Sequence, residues 1–529
     1  MKRRWIRRGV GAMLLAAVLA GCAGQAARES GEKETPVRQE AVQEEKTLVF
    51  GDTTFNAENG ESDINPHHDS GGWACIRYGV GETLFRFTDQ MEIEPWLTES
   101  YERVDERTWR ITLKEGISFT SGRIMDAEAV KECLEALVEA NARAAGNLRL
   151  ETVTAEGLTL TIGTKVPVPA LLNDLADPYG CIYDVQAGVT EDGIVQGTGP
   201  YRAVALTTDT SLELVKNEQY WNGEPKIDRI TVRTITDGDT LTVALQSGEI
   251  DVAYGMPYIS YPLFENDRYT FTGCSTSRVI FGAMNFESAI MQDPAVRKAV
   301  SMGIDKEGFV ETLLGGNGTP AAGPFPDTVS FGGDAVRAPA YDPEKAMQVL
   351  EEAGWTDTDG DGIREKDGTP LTIRWLTYPS RQEQPFLAEA AQAMLKTIGI
   401  RVEIQNTANH NQVRTDRSAW DIYVSTFVAA PTGDPEYFFA YHCLDRSGSN
   451  DGRYHSDRLE SLAEEMEGTF DTDRRAELAQ QMQQIILDDS AYIFFAHLRM
   501  NMISASNVTG LTAHPCDYYE ITADLDIRE

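Results

Sequence analysis

Apolar positions recur along this chain with two distinct periods. Residues 107–113 alternate, with Trp109, Ile111 and Leu113 set between polar neighbours, which predicts a half-buried strand. Residues 47–51 and 226–232 read as further strands. So do 371–376 and 401–404, on either side of a helix over 385–398. Helical periodicity is clearest over 472–487. Three other helices are marked by their starts. Asp126 opens one with acidic residues in its first turn, where the helix dipole favours negative charge. Asp293-Pro294 and Asp342-Pro343 each set a capping carboxylate before a proline at the first helical position. They predict helices reaching Ile304 and Ala353-Gly354. Strands and helices interleave from end to end, so the expected class is α/β. No internal repeat points to a solenoid.

The first residues stand apart from this pattern. Lys2, Arg3, Arg4, Arg7 and Arg8 precede an apolar run over 9–20 that is too short to span a bilayer. It closes on Leu19-Ala20-Gly21-Cys22, which resembles the lipobox of bacterial lipoproteins. That resemblance implies a signal peptide over 1–22, lipid on Cys22 and attachment to the outer side of the bacterial cell membrane. Residues 23–46 hold no aromatic residue and read as a flexible tether. No later stretch is apolar for long enough to cross a bilayer.

Charge narrows the partners. Asp and Glu number 83 against 47 Lys and Arg, a net charge of −36. Such a surface repels phosphate backbones, so nucleic acid is excluded as a partner. Cys75, Cys133, Cys181, Cys274, Cys443 and Cys516 are far apart with no C-x-x-C pair, which argues against a zinc knuckle. The exported compartment permits disulfides, but spacing alone does not pair them. The sequence carries no H-E-x-x-H, P-loop or G-x-S-x-G, so no enzyme is expected. Asp357, Asp359 and Asp361 begin like a calcium loop, yet the twelfth position is Gly368 instead of Glu. The run reads either as a structural calcium site or as a solvated acidic turn.

The order of short motifs carries the most information. Ile64-Asn65-Pro66-His67 is followed by Glu94-Pro95-Trp96-Leu97, Gly197-Thr198-Gly199-Pro200-Tyr201 and Asn217-Glu218-Gln219-Tyr220-Trp221. Then come Ser247-Gly248-Glu249-Ile250-Asp251, Val296-Arg297-Lys298-Ala299, Tyr341-Asp342-Pro343-Glu344-Lys345-Ala346 and Ala353-Gly354-Trp355. This series resembles the family 5 extracellular solute-binding proteins of peptide and nickel ABC importers, over roughly 47–525. The resemblance implies a two-lobed, periplasmic-binding-protein-like fold of type II, cluster C, that closes by hinge motion. It implies a first lobe over 47–280 and 498–529, with a subdomain inserted over 89–196, and a second lobe over 281–497. Hinges are expected near Ala283-Met284-Asn285 and His497. Trp96 and Trp221 read as packing residues. Gly197 and Gly199 read as conformational freedom for a tight entry into a strand.

The ligand class follows from departures within that family. Peptide binders resembling this chain set an Asp shortly before an Asp-Pro or Glu-Pro pair, to hold the peptide's ammonium group. Here Asp434-Pro435 matches the pair, but Pro431 stands where the amine-binding carboxylate belongs. Burying an ammonium group there without a counter-charge would cost several kcal/mol. The chain therefore resembles the nickel-binding branch, which implies transport of nickel to ABC permease subunits. A di- or oligopeptide binder is the alternative. The resemblance implies His67 and His497 as metal ligands, with His68 and His442 as weaker candidates. It implies a cleft lined by Trp73, Phe427, Asp434 and Arg499. Neutral imidazole suits Ni²⁺. Residues 171–181 hold no Arg where that branch pairs a chelator carboxylate, so the protein histidines are expected to carry more of the coordination. A small metallophore such as free histidine completes the expected shell. A monomer is expected.

Overall fold

The computed structural model describes residues 45–68 and 70–528. The leader, Cys22 and the tether up to residue 44 lie outside the described residues. From Glu45 onward the chain forms one compact unit. Among the described residues no helix is long and apolar enough to cross a membrane.

One large mixed sheet runs through the molecule. Its order is Arg401–Asn406, Thr372–Thr377, Ile422–Val428, Tyr269–Met284, Tyr492–Ala505, Val252–Tyr254, Thr47–Asp52, Arg229–Thr234, Ser211–Lys216 and Tyr201–Thr207. Gly318–Pro320 adds to the side of Tyr492–Ala505. The two central strands are the longest, at 16 and 14 residues, and pair antiparallel. On one side, Val252–Tyr254 pairs with Met502, Ile503 and Ser504. On the other, Ile422–Val428 pairs with Arg278 through Met284. A bulge falls between Ser275 and Val279, where pairing passes from one half-sheet to the other. Bulges bend a strand and raise its local twist, so the sheet changes direction here. It lies upstream of the Ala283-Met284-Asn285 position expected from sequence and level with His497, the register partner of Val279.

A separate four-stranded antiparallel sheet sits between the first strands: Thr98–Arg103, Thr108–Leu113, Thr159–Thr164 and Leu150–Glu156. The helix Ala127–Ala140 covers it, with Asp126 accepting from the Ala129 N–H at 2.9 Å. The other proline-marked helices also form, at Pro294–Met302 and Pro343–Glu352, capped by Asp293 and Asp342. The strand expected from Lys226 begins only at Arg229; the N–H groups of Asp228 and Arg229 donate to the Lys46 carbonyl, just before the partner strand.

Two local readings change in detail. Trp96 and Trp221 do pack, edge to face at 5.2 Å, but both also donate to Glu82. Thr198 and Tyr220 donate to the same buried carboxylate, so four hydrogen bonds compensate its burial. Gly197 and Gly199 are needed for room, not for an unusual turn. A Cβ at either would lie 2.2 Å from a carbonyl oxygen, of Val80 and Gly79 respectively.

Candidate functional site

Two side-chain groups draw residues from both half-sheets. The first is built on Arg143, from the short helix Ala142–Leu148. Its guanidinium makes a two-pronged contact with Asp177, at 2.8 and 2.9 Å. Asp177 is fully buried, whereas the Arg143 side chain keeps 30% exposure. The guanidinium carbon lies 4.6 Å from the centre of the Tyr179 ring and 5.8 Å from that of Trp73. Five N–H donors on a planar cation leave some unspent after Asp177 takes two.

Aromatic rings from distant parts of the chain surround this cation. Trp73 projects from the helix Gly71–Arg77, donates to the Cys516 carbonyl at 3.3 Å and packs on Tyr518 at 5.8 Å. Phe427, near the end of Ile422–Val428, stacks on Tyr437 and Tyr441, one turn apart on the helix Glu436–His442. Burial raises the Tyr437 phenol, and the positive charge of Arg143 beside it opposes that rise. The two halves are tied nearby. Asn173 donates to the Thr432 carbonyl at 2.8 Å, and the Tyr518 hydroxyl donates to the Pro431 carbonyl at 3.1 Å.

The second group lines a cavity of about 370 Å³. Thr53, Tyr254 and Tyr258 contribute from one half, Arg381 and Glu383 from the other, and Arg278 and Arg499 from the central strands. Asp517 also faces it and takes Arg278 at 2.5 Å. The C-terminal segment joins the two groups, since Cys516 and Tyr518 contact Trp73 while Asp517 holds Arg278. The arrangement offers cationic and aromatic contacts suited to a planar or anionic small molecule.

The residues expected from sequence are distributed differently. Trp73 and Phe427 stand in the aromatic wall, and Arg499 faces the cavity. Asp434 does not reach it: both its oxygens are taken by buried Arg475, at 2.5 and 2.9 Å. His67 and His497 are not brought together. The His67 ring packs between Tyr183, 3.2 Å from Nδ1, and Cys133, 3.7 Å from Nε2. His497 is buried on Tyr492–Ala505 beside Lys306 and Gly323. His442 sits among Phe281, Phe427 and Phe438. Burial holds His67 down to about 4, and His442 and His497 to about 3, so all three are neutral at pH 7. His68 turns away and bonds Asp63 at 2.6 Å.

Sequence reasoning missed Arg143. The absence of an arginine in 171–181 is real, but the fold supplies one from 34 positions before Asp177. Asp357, Asp359, Asp361 and Glu365 hold ligand atoms within 4.8 Å of one another and are largely exposed. Their oxygens already accept from the backbone N–H groups of residues 358, 360, 361, 362 and 363.

Residues 92–450 match the family of bacterial extracellular solute-binding proteins, family 5. The chain is 28% identical over 454 residues to the nickel-binding protein NikA of Staphylococcus aureus, covering 84% of this chain and 89% of that one. The crystal structure of that NikA in complex with Ni(L-His)2 superposes with a TM-score of 0.77, at 26% identity over 91% of this chain and 100% of that one. A nickel ABC transporter structure from Bacillus halodurans gives a TM-score of 0.75, at 32% identity and the same coverage. The glutathione-binding protein GsiB of Pectobacterium atrosepticum is 26% identical over 468 residues, 84% of this chain and 88% of that one.

Proposed function

The chain belongs to the bacterial extracellular solute-binding proteins of family 5, and from that premise we propose that it captures nickel as a small-molecule chelate and delivers it to an ABC permease. The observation that carries this reading is Arg143, a partly exposed guanidinium clasped by buried Asp177 and walled by Trp73, Tyr179 and Tyr437. Such a group recognises the carboxylate of a chelator and gives no purchase to a bare cation. The metal's donors then come from the chelator, and the protein binds the chelate's outer surface. Relatives named for nickel support this cargo, one of them as its bis-histidine complex.

A peptide is the second reading, because relatives that bind glutathione and oligopeptides share the scaffold. Against it stand Pro431, whose segment offers no carboxylate, and Asp434, held by Arg475. Isothermal titration with nickel plus histidine, nickel alone, glutathione and a mixed oligopeptide pool separates the readings. Micromolar or tighter binding is expected with nickel plus histidine only. Tight binding of a metal-free peptide would transfer the chain to the peptide binders. The protein acts as a monomer outside the cytoplasmic membrane, held there by lipid on Cys22. A calcium ion at Asp357, Asp359, Asp361 and Glu365 would be structural and separate from the cargo.

A further inference from the structure

Two buried thiols converge behind the aromatic wall. Cys75 lies two residues after Trp73 on the helix Gly71–Arg77. Cys181 follows the turn Pro178–Gly180, which carries Tyr179. Both side chains point at Gly81. A Cβ there would lie 2.6 Å from the Cys75 Sγ and 3.3 Å from the Cys181 Sγ. The two sulfurs flank one point, and the missing side chain of Gly81 is what makes room for them. The backbone fixes this meeting. Val80 and Gly81 donate to the Cys75 carbonyl at 3.0 and 3.1 Å, and Ile182 donates to the Glu82 carbonyl at 2.8 Å. Burial, with the Cys75 thiol close by, pushes the Cys181 thiol up. A third thiol, Cys133, faces elsewhere, towards His67 Nε2 and, as donor, the Cys181 carbonyl at 3.8 Å.

We propose that Cys75 and Cys181 form a disulfide in the exported protein, and that Cys133 stays a thiol. The inference rests on export and not on the identity of the cargo. The chemistry is exchange with a disulfide oxidant of the extracytoplasmic compartment. One cysteine thiolate attacks the oxidant and forms a mixed disulfide. The second then attacks its partner's sulfur and closes the Sγ–Sγ bond. The oxidant's S–S bond breaks, its two sulfurs take the two electrons and, through solvent, the two thiol protons, and it leaves as two thiols. Both sulfurs are buried in the folded chain, at 0% and 1% exposure. The exchange therefore happens during folding, before the two segments close on each other. The bond closes a loop of about a hundred residues, a length at which cross-linking restricts the unfolded chain strongly. It also ties the helix bearing Trp73 to the turn that follows Asp177, so the redox state reaches the wall around Arg143.

The test uses the full exported protein, purified without reductant, denatured, alkylated and mapped by mass spectrometry. A peptide linked through Cys75 and Cys181 is expected, released by reductant, with Cys133, Cys274, Cys443 and Cys516 alkylated. Cys75→Ser, Cys181→Ser and the double variant should all melt at one temperature, several degrees below wild type. Wild type unfolded in denaturant with dithiothreitol and refolded with the reductant present should also melt several degrees below the oxidised protein. Alkylation of all these thiols without reductant would overturn the proposal. So would a linked peptide containing Cys133. A stoichiometric soft metal in the native mass, lost in Cys133→Ser, would overturn it in favour of a thiolate–imidazole metal site.

Discussion

Replacing Arg143 together with Asp177 removes the cation of the aromatic wall without stranding its partner. Arg143→Ala alone would leave the fully buried Asp177 carboxylate unpaired. That costs somewhat less than the roughly 3–5 kcal/mol of a fully buried pair, because the guanidinium is 30% exposed. Arg143→Ala with Asp177→Asn avoids most of this. The new amide carries no charge, and its oxygen still accepts from the Tyr179 N–H that Asp177 receives at 3.2 Å. What the double variant loses is the contact of a charged donor with a chelator carboxylate. Such contacts contribute about 1.5–3 kcal/mol, or roughly 10- to 100-fold in affinity. The assay is isothermal titration with preformed nickel–histidine chelate at pH 7.5, with the melting temperature recorded to certify the fold. Arg143→Lys should fall between, because it keeps the charge and loses the fork. A folded double variant that binds within twofold of wild type would refute the reasoning and leave the Arg278–Arg499 cavity as the site.

Further outcomes follow from the same geometry. His67→Gln and His497→Gln should leave nickel–histidine affinity within about twofold, because neither imidazole faces the cleft; a tenfold loss in both would restore them as ligands. Nickel–histidine binding should fade as pH drops through about 6.5, where free histidine protonates. His67 and His497, held near 4 and 3, would delay that loss well below pH 5 if they were the ligands. His442→Phe should gain stability over wild type as pH falls. Its folded value near 3 lies below the ordinary one, so the unfolded chain takes a proton first and the wild type loses stability from pH 6.5 downward, by about 1.4 kcal/mol per pH unit. A pH-independent difference in denaturant midpoints would contradict that. Arg475→Met should cost about 3–5 kcal/mol by stranding Asp434, measured by urea unfolding, with no change in the metal selectivity of binding. If the acidic turn holds calcium, a millimolar addition raises the melting temperature of wild type but not of Asp357→Asn with Asp359→Asn; equal responses would assign the turn no ion.

What the sequence disclosed was mostly local. Asp126, Asp293 and Asp342 each cap the helix they announce, because a cap and its N–H targets lie within one turn. Trp73 and Phe427 were legible because motif order located the wall. Arg143 was not, since its meaning depends on Asp177 and Tyr179, which only the fold brings to it. The histidines misled for a related reason. The family resemblance singled them out, but the groups that neighbour His67 are Cys133 and Tyr183, 66 and 116 positions away. Asp434 matched its motif and still served another purpose, because Arg475 arrives from 41 residues on.

The whole-molecule charge and the local charge then point to one kind of cargo. A net charge of −36 draws cations toward the protein from a distance, weakly at physiological salt. Where the half-sheets meet, however, guanidinium groups dominate: Arg143 on the aromatic wall, and Arg278, Arg381 and Arg499 around the cavity. Asp177 and Asp517 are already spent on two of them, and Glu383 is buried. A bare Ni²⁺ arriving there would meet mostly like charge, while His67, His442 and His497 are buried elsewhere in the packing. A nickel ion wrapped by two amino acids carries its own nitrogen donors inward and its carboxylates outward. That species is close to neutral, stacks on rings and accepts from guanidinium N–H groups. On the proposed function, the site would read the wrapping, and selectivity for nickel would be inherited from the chelator's affinity for the metal.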